Sequence, residues 1–96
     1  MGVDELLREK RSEILRIAAL HGGENVRVFG SVVRGQAGPD SDIDILVRLE
    51  EGRTLIDHVA LIQDLEELLG RKVDVITEGG LRGRFRDLVL SEAVPL

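Results

Sequence analysis

The chain has 96 residues, of which 43% are hydrophobic and 32% charged, and its net charge is −5. This length accommodates one domain, so we expect residues 1–96 to form a single unit. The absence of cysteine excludes a disulfide framework, a thiolate nucleophile and a cysteine-based zinc site. No run of ~18 apolar residues and no signal-peptide pattern occurs, so we expect a cytoplasmic protein without a membrane partner. The acidic total argues against a protein that coats DNA or RNA, although a divalent cation can still join carboxylates to nucleotide phosphates.

The first half of the chain alternates between one helix, one strand and turn-forming residues. Apolar residues recur at helical spacing over 4–20, which predicts one amphipathic helix that ends at Gly22. The β-branched and aromatic run 26–29 predicts a first strand. A tight turn with one helical turn is expected over 30–34, and the Gly- and Pro-containing stretch 35–40 is expected to be a loop.

The second half contains a strand–helix–strand unit. Residues 43–49 form the strongest strand pattern of the sequence. The helix that follows, over 54–69, begins with a capping-box-like pair, Thr54 and Asp57. A third strand is expected over 73–77. Because the helix is about as long as the strand before it, it returns the chain to the start of that strand, and the third strand then runs parallel to the second.

A last, arginine-rich helix is predicted from Leu81 to about Ser91, before an apolar tail. The order of elements predicts an α/β (α+β) fold, with a small three-stranded mixed sheet and flanking helices. The first strand is expected to run antiparallel to the second.

Three aspartates are expected to converge at one end of this sheet. Asp42 and Asp44 share one strand face, and the parallel pairing places Asp74 beside them. Either aspartate motif alone is typical of a structural surface feature. Together they would repel one another, which a fold tolerates where a divalent cation neutralises the cluster. Oxygen ligands without histidine or cysteine favour Mg²⁺ or Mn²⁺.

Gly30 and Ser31 would lie at the same end of the sheet. Gly30 allows close approach of a phosphate to the backbone, and Ser31 offers a hydroxyl and an N–H at the start of a helical turn. Arg34, one turn later, can neutralise a phosphate. The alternatives are a plain turn and, for Arg34, a solvated charge or an ion pair with Asp40. The stretch is neither a P-loop nor a dinucleotide fingerprint.

Other polar groups have structural interpretations. His58 lies on the apolar face of its helix and is expected to be a hydrogen-bonded structural histidine. Ile56 and Ala60 lie outside the main apolar stripe, which indicates a second packing surface. A solvated helix face is favoured over a nucleic-acid patch for three arginines: Arg82, Arg84 and Arg86.

The segments GSVVRG, SDIDILV and KVDVIT together resemble the polymerase-β-like nucleotidyltransferases, whose pattern is Gly-Ser, a spacer, Asp-x-Asp and a third Asp on a later strand. The length resembles the minimal nucleotidyltransferases, known as MNT proteins, which are antitoxin partners of HEPN ribonuclease toxins. The resemblance covers nearly the whole chain. One departure is Val33, where these proteins often carry a small residue.

The resemblance implies a role for each motif residue. Gly30 and Ser31 would hold the triphosphate of ATP. Asp42 and Asp44 would bind the nucleotide-bound Mg²⁺, and Asp44 with Asp74 would hold a second metal ion. The implied reaction is in-line attack of a hydroxyl on the α-phosphate with release of pyrophosphate.

Related antitoxins attach AMP to a tyrosine of the HEPN toxin, so the resemblance implies a toxin partner. A chain this short offers no second domain to complete the acceptor side of the site, which also favours a partner chain. Two alternatives stay open: a non-catalytic antitoxin that neutralises the toxin by covering it, and a transferase acting on a small-molecule hydroxyl. The second packing surface also leaves a homodimer open.

Overall fold

The computed structural model describes residues 3–38 and 40–96, so Pro39 of the predicted loop lies outside the described residues. Within them, no helix is long and apolar enough to cross a membrane. In chain order the elements are α1 (Val3–Glu9), α2 (Arg11–Leu20), β1 (Gly23–Phe29), β2 (Ile43–Leu49), α3 (Leu55–Leu69), β3 (Val73–Thr77), a 3₁₀ turn (Glu78–Gly80), α4 (Gly83–Glu92) and β4 (Val94–Pro95).

The helix predicted over 4–20 is bent into α1 and α2 at Lys10. Backbone hydrogen bonds continue through the bend, from Lys10 N to the carbonyl of Leu6 and from Ile14 N to the carbonyl of Lys10. Both Leu7 and Ile14 are buried on either side of it. The interruption at Lys10 therefore leaves residues of both α1 and α2 in the same core cluster.

The sheet has the order β3-β2-β1-β4, so the predicted count of three strands is wrong by one. As predicted, β2 pairs with β3 in parallel and with β1 in antiparallel orientation. The additional strand β4 lies in the apolar tail and pairs with the outer edge of β1, with Val94 opposite Val28 and Pro95 opposite Arg27. Two residues of an edge strand carry little sequence signal, and proline in a sheet is confined to such edges.

The two faces of the sheet have different partners. One face packs against α1, α2 and α3 through the alternating residues Ile43, Ile45 and Val47 of β2, which are all fully buried. The opposite face carries a smaller cluster in which Leu46 of β2 meets Val89 of α4. Because side chains alternate along a strand, Asp44 belongs to the α4 face.

Helix α3 begins and ends where the sequence predicts. Asp57 Oδ2 accepts a hydrogen bond from Thr54 N at 2.8 Å, and Thr54 Oγ1 accepts one from Ile56 N at 3.2 Å. Gly70, in the left-handed conformation, ends the helix. Typical caps of this kind contribute about 1 kcal/mol to stability. This helix holds β3 in parallel register beside β2, so its correct length decides where Asp74 lies.

Candidate nucleotide-binding cleft

The register of β2 and β3 places two of the predicted aspartates side by side. Asp44 pairs with Asp74 in the parallel ladder, one residue after the pair formed by Ile43 and Val73. Both side chains line one cleft of about 340 Å³, on the sheet face that α4 covers. Of the three aspartates predicted to converge, Asp44 and Asp74 therefore lie together, whereas Asp42 does not line this cleft.

Asp44 lies in an unfavourable electrostatic environment. Burial raises its pKa above 3.8, and the negative charges of Asp74 and Asp42 raise it further, whereas Arg34 opposes the shift. A raised carboxyl pKa means that the folded protein disfavours the ionised form. Arg34 therefore offsets the unfavourable charge of Asp44 only in part.

Gly30 is required by contact with this aspartate. Its φ of +78° lies in the left-handed region, and an added Cβ would lie 2.1 Å from Asp44 Oδ2. Any larger residue would therefore displace the Asp44 carboxylate. The glycine lets the backbone after β1 pass directly against the acidic pair.

The segment after Gly30 forms a single helical turn, as predicted. Arg34 N donates to the Gly30 carbonyl at 3.1 Å, and Gln36 N donates to the Ser31 carbonyl at 2.8 Å. Ser31 is half-buried at the start of this turn, where free backbone N–H groups favour anions. The turn also brings Arg34 back toward the sheet.

Arg34 has a partner that the sequence did not predict. Its Nη1 donates to Glu92 Oε1 at 2.5 Å, so the ion pair forms with the end of α4 rather than with Asp40. The same Glu92 oxygen accepts the N–H of Gly30 at 2.9 Å. No local pattern marks Glu92, because only the return of the chain along β4 brings it to this place.

The cleft has an acidic floor and an apolar lip. Of the six predicted site residues, four line it (Gly30, Arg34, Asp44 and Asp74), whereas Asp42 and Ser31 do not among the described residues. Helix α4 supplies the lip, where Phe85 is 51% and Leu88 56% exposed. These exposed apolar side chains beside an acidic pair suit a site that another molecule completes.

A second arginine organises the loop before Asp42. Arg71 Nη2 donates to the carbonyls of Gly38 and Ser41 at 2.7 and 2.8 Å. Ile43 N in turn donates to the carbonyl of Lys72 at 3.0 Å. Arg71 thus ties the loop to the start of β3 and fixes how Asp42 enters β2. No sequence pattern predicts this role of Arg71, since arginine after a helix C-cap usually lies in solvent.

The remaining polar groups stay outside the cleft. His58 Nε2 lies 2.7 Å from the carbonyl of Val75, which supports its predicted structural role. The surface predicted from Ile56 and Ala60 is an apolar patch at the start of α3, where Ile56 is 80% exposed and where Leu55, 74% exposed, also lies. Three arginines near or on α4 are exposed, as predicted: Arg82, Arg84 and Arg86.

The three carboxylates are the right type of ligand for a hard divalent cation, but their side chains are not arranged around one position. Within residues 3–38 and 40–96, no three acidic, histidine or cysteine side chains already form a metal-binding group. The donors are oxygen atoms only, and repulsion by Asp74 and Asp42 adds to the raised pKa of Asp44. A divalent cation would relieve this repulsion and draw the three side chains together.

The profile of the nucleotidyltransferase domain matches residues 7–96 of the chain. A protein from Methanocaldococcus jannaschii, provisionally named a protein adenylyltransferase, is 41% identical over 92% of this chain and 95% of its own length. The protein adenylyltransferase MntA of Thermococcus cleftensis is 44% identical over 76% of this chain and 74% of its own length.

Solved structures agree with this assignment. A structure provisionally identified as a minimal nucleotidyltransferase is 55% identical, with a TM-score of 0.87 over 96% of this chain and 94% of that one. An MNT antitoxin in complex with the tri-AMPylated HEPN toxin of Shewanella oneidensis shares the fold, with a TM-score of 0.70 at 19% identity over 92% of this chain and 69% of that one. The chain therefore belongs to the nucleotidyltransferase domain family and, within it, to the minimal nucleotidyltransferases.

Proposed function

We propose that the protein is a cytoplasmic antitoxin that transfers AMP from ATP to a tyrosine of a HEPN toxin. The observation that carries the proposal is the packing of Gly30 directly against the Asp44–Asp74 pair. This packing puts backbone N–H groups suited to phosphates beside carboxylates suited to a cation. Nucleotidyl transfer needs both functions within one site.

Each site residue has a role in this proposal. Gly30 and Ser31 bind the triphosphate through the backbone and the Ser31 hydroxyl, and Arg34 neutralises a phosphate oxygen. Asp42, Asp44 and Asp74 would hold Mg²⁺, with two ions in the complete site and with Mn²⁺ as a substitute. The ions would supply charge neutralisation at the α-phosphate and activation of the acceptor hydroxyl.

The acceptor is proposed to come from a partner chain. The lip formed by Phe85 and Leu88 is exposed, and it faces the same cleft as the aspartates. Relatives named protein adenylyltransferase support a protein acceptor, and the HEPN complex with an AMP-bearing toxin supports the identity of the partner.

A non-catalytic antitoxin is the second candidate, because the aspartates are not yet gathered around a metal position. Intact-mass measurement of a HEPN partner incubated with this protein, Mg²⁺ and ATP decides between the two. The proposal predicts a mass increase by one or more AMP units, and the same mixture with EDTA serves as control. No increase with metal and a folded partner present would leave neutralisation by binding alone.

The homodimer stays a prediction that rests on the exposed start of α3. Leu55, Ile56 and Val59 are all more than 40% exposed there, at 74%, 80% and 44%. Light scattering of the isolated protein checks it. A strict monomer at high concentration would remove the homodimer and leave this surface to a different chain.

A further inference from the structure

One carboxylate oxygen occupies two of the donors of the proposed phosphate site. Glu92 Oε1 accepts the Gly30 N–H at 2.9 Å and a guanidinium N–H of Arg34 at 2.5 Å. The Glu92 side chain is only 13% exposed, whereas that of Arg34 is 49% exposed. An anion is thus already held where the nucleotide's phosphates would bind.

The surroundings of Glu92 otherwise disfavour its charge. It is the last residue of α4, and negative charge at a helix C-terminus is unfavourable. It also faces the same cleft as Asp44 and Asp74, and its charge helps to raise the pKa of Asp44. Gly30 and Arg34 are therefore the groups that hold this carboxylate in place.

The position of Glu92 follows from the fold rather than from α4 alone. Val94, two residues after Glu92, pairs with Val28 of β1, which lies two residues before Gly30. Val89, 1% exposed, anchors the last turn of α4 in the smaller core. These two anchors hold the backbone on both sides of Glu92, so a movement of its side chain does not require either element to unfold.

We propose that Glu92 is an internal stand-in for phosphate, which keeps Gly30 and Arg34 oriented and is displaced when the triphosphate of a nucleotide enters. This inference rests on the proposed function. A phosphate oxygen that approaches the Gly30 N–H and Arg34 Nη1 would meet the Glu92 carboxylate, and the two negative charges would repel each other there. The nucleotide therefore competes with Glu92 for the same two donors.

The competing interpretation is a permanent brace, in which Glu92 stays bound to Gly30 and supports the nucleotide from behind. The two interpretations predict opposite changes in nucleotide affinity when the Glu92 carboxylate is removed. Removal of a competitor strengthens binding, whereas removal of a brace weakens it. Loss of a merely structural contact would not increase affinity.

Calorimetric titration of Mg-ATP and of inorganic triphosphate against wild type, Glu92→Gln and Glu92→Ala tests the proposal. We expect both variants to bind about two- to fivefold more tightly, since a partly exposed ion pair contributes up to about 1 kcal/mol, which is about fivefold in affinity. Glu50→Gln is the matched control, because it removes the same charge from an ion pair with Arg53 at the start of α3. It should leave both affinities unchanged.

Unchanged affinity in Glu92→Gln together with weaker binding in Glu92→Ala would establish a brace and overturn the proposal. Glutamine keeps an acceptor oxygen for Gly30 but removes the charge, whereas alanine removes both. Comparison of the two variants therefore separates the effect of the charge from that of the hydrogen bond. Thermal melts check that each variant is folded. Because the readout is binding, absence of AMP transfer to a toxin would overturn only the proposed function. Absence of binding by every form would overturn both.

Discussion

Two aspartates at the beginnings of neighbouring elements have opposite electrostatic roles. Asp57, in the first turn of α3, accepts the backbone N–H of Thr54 and lies beside Arg53, and both contacts lower its pKa below 3.8. Asp44, at the start of β2, is partly buried and repelled by Asp74 and Asp42, so its pKa is raised above the same value.

The difference separates a charge that supports the fold from one that the fold only tolerates. The Asp57 carboxylate satisfies a backbone donor that the helix leaves free. Burial and the neighbouring carboxylates disfavour the charge of Asp44, so the ionised side chain weakens the folded state. Active sites commonly hold groups that stability alone would not select. Substitutions of Asp44 and of Asp57 should therefore have different effects.

The largest expected effect is on AMP transfer. Asp44→Asn should lower transfer to the toxin more than about 100-fold, because metal ligands supply several kcal/mol of transition-state stabilisation. Asp57→Asn, the matched control, should stay within about twofold of wild type on the same scale. Intact-mass time courses with Mg-ATP measure both. Equal losses would mean that the two aspartates do not differ in function.

Two glycines extend the comparison to the backbone. Gly30 and Gly52 both have positive φ, of +78° and +91°, but only Gly30 lies against another side chain. Alanine at either position should lower the free energy of unfolding by about 1–2 kcal/mol through backbone strain. Only Gly30→Ala should also lower transfer, by about 10- to 100-fold, because it displaces the Asp44 carboxylate. Chemical denaturation and transfer assays separate these effects, and a transfer loss in Gly52→Ala would contradict the account.

The capping box offers a purely structural variant. Thr54→Ala should lower the free energy of unfolding by about 1 kcal/mol, as expected for loss of an N-cap. Transfer by the folded fraction should not change, because the cap lies at the opposite end of β2 from Asp44. Urea unfolding and transfer at a temperature well below the midpoint check the two statements.

The smallest effect is a pH dependence of opposite sign at the two aspartates. The unfolded chain ionises each near 3.8, so Asp44 increasingly destabilises the folded state as the pH rises from 3.8 through its higher folded pKa. Asp57 contributes stability above 3.8 that is lost as the pH falls through its lower folded pKa. Urea unfolding from about pH 3 to pH 7 should therefore show that the stability of Asp44→Asn increases relative to that of wild type as the pH rises. Over the acidic part of the range, the stability of Asp57→Asn should decrease relative to that of wild type as the pH rises.

The sequence predicted the strand–helix–strand unit and the acidic pair because both depend on local patterns. The capping box, the glycine after α3 and the alternation along β2 fix a helix of one length, and that length sets the register of Asp74 against Asp44. The turn after β1 was predictable for the same reason.

What the sequence could not predict depends on contacts between distant segments. A two-residue strand such as β4 has no periodicity, and the position of Glu92 at Gly30 follows from it. Arg71 likewise acts through carbonyls of a loop some thirty residues earlier in the chain, at Gly38 and Ser41. The interruption at Lys10 has no local sequence signal, since no glycine or proline lies within α1 or α2.

Thermal melting of wild type and Asp44→Asn, each in EDTA and in Mg-ATP, tests most directly whether the acidic pair exists for a metal and a nucleotide. Without metal the variant should melt at the higher temperature, because Asp74 and Asp42 lose a repelling neighbour. With Mg-ATP the wild type should gain much more than the variant, since a ligand that binds only the folded state stabilises it. An Asp44→Asn protein that is clearly less stable than wild type in EDTA would contradict the account and make Asp44 a structural residue.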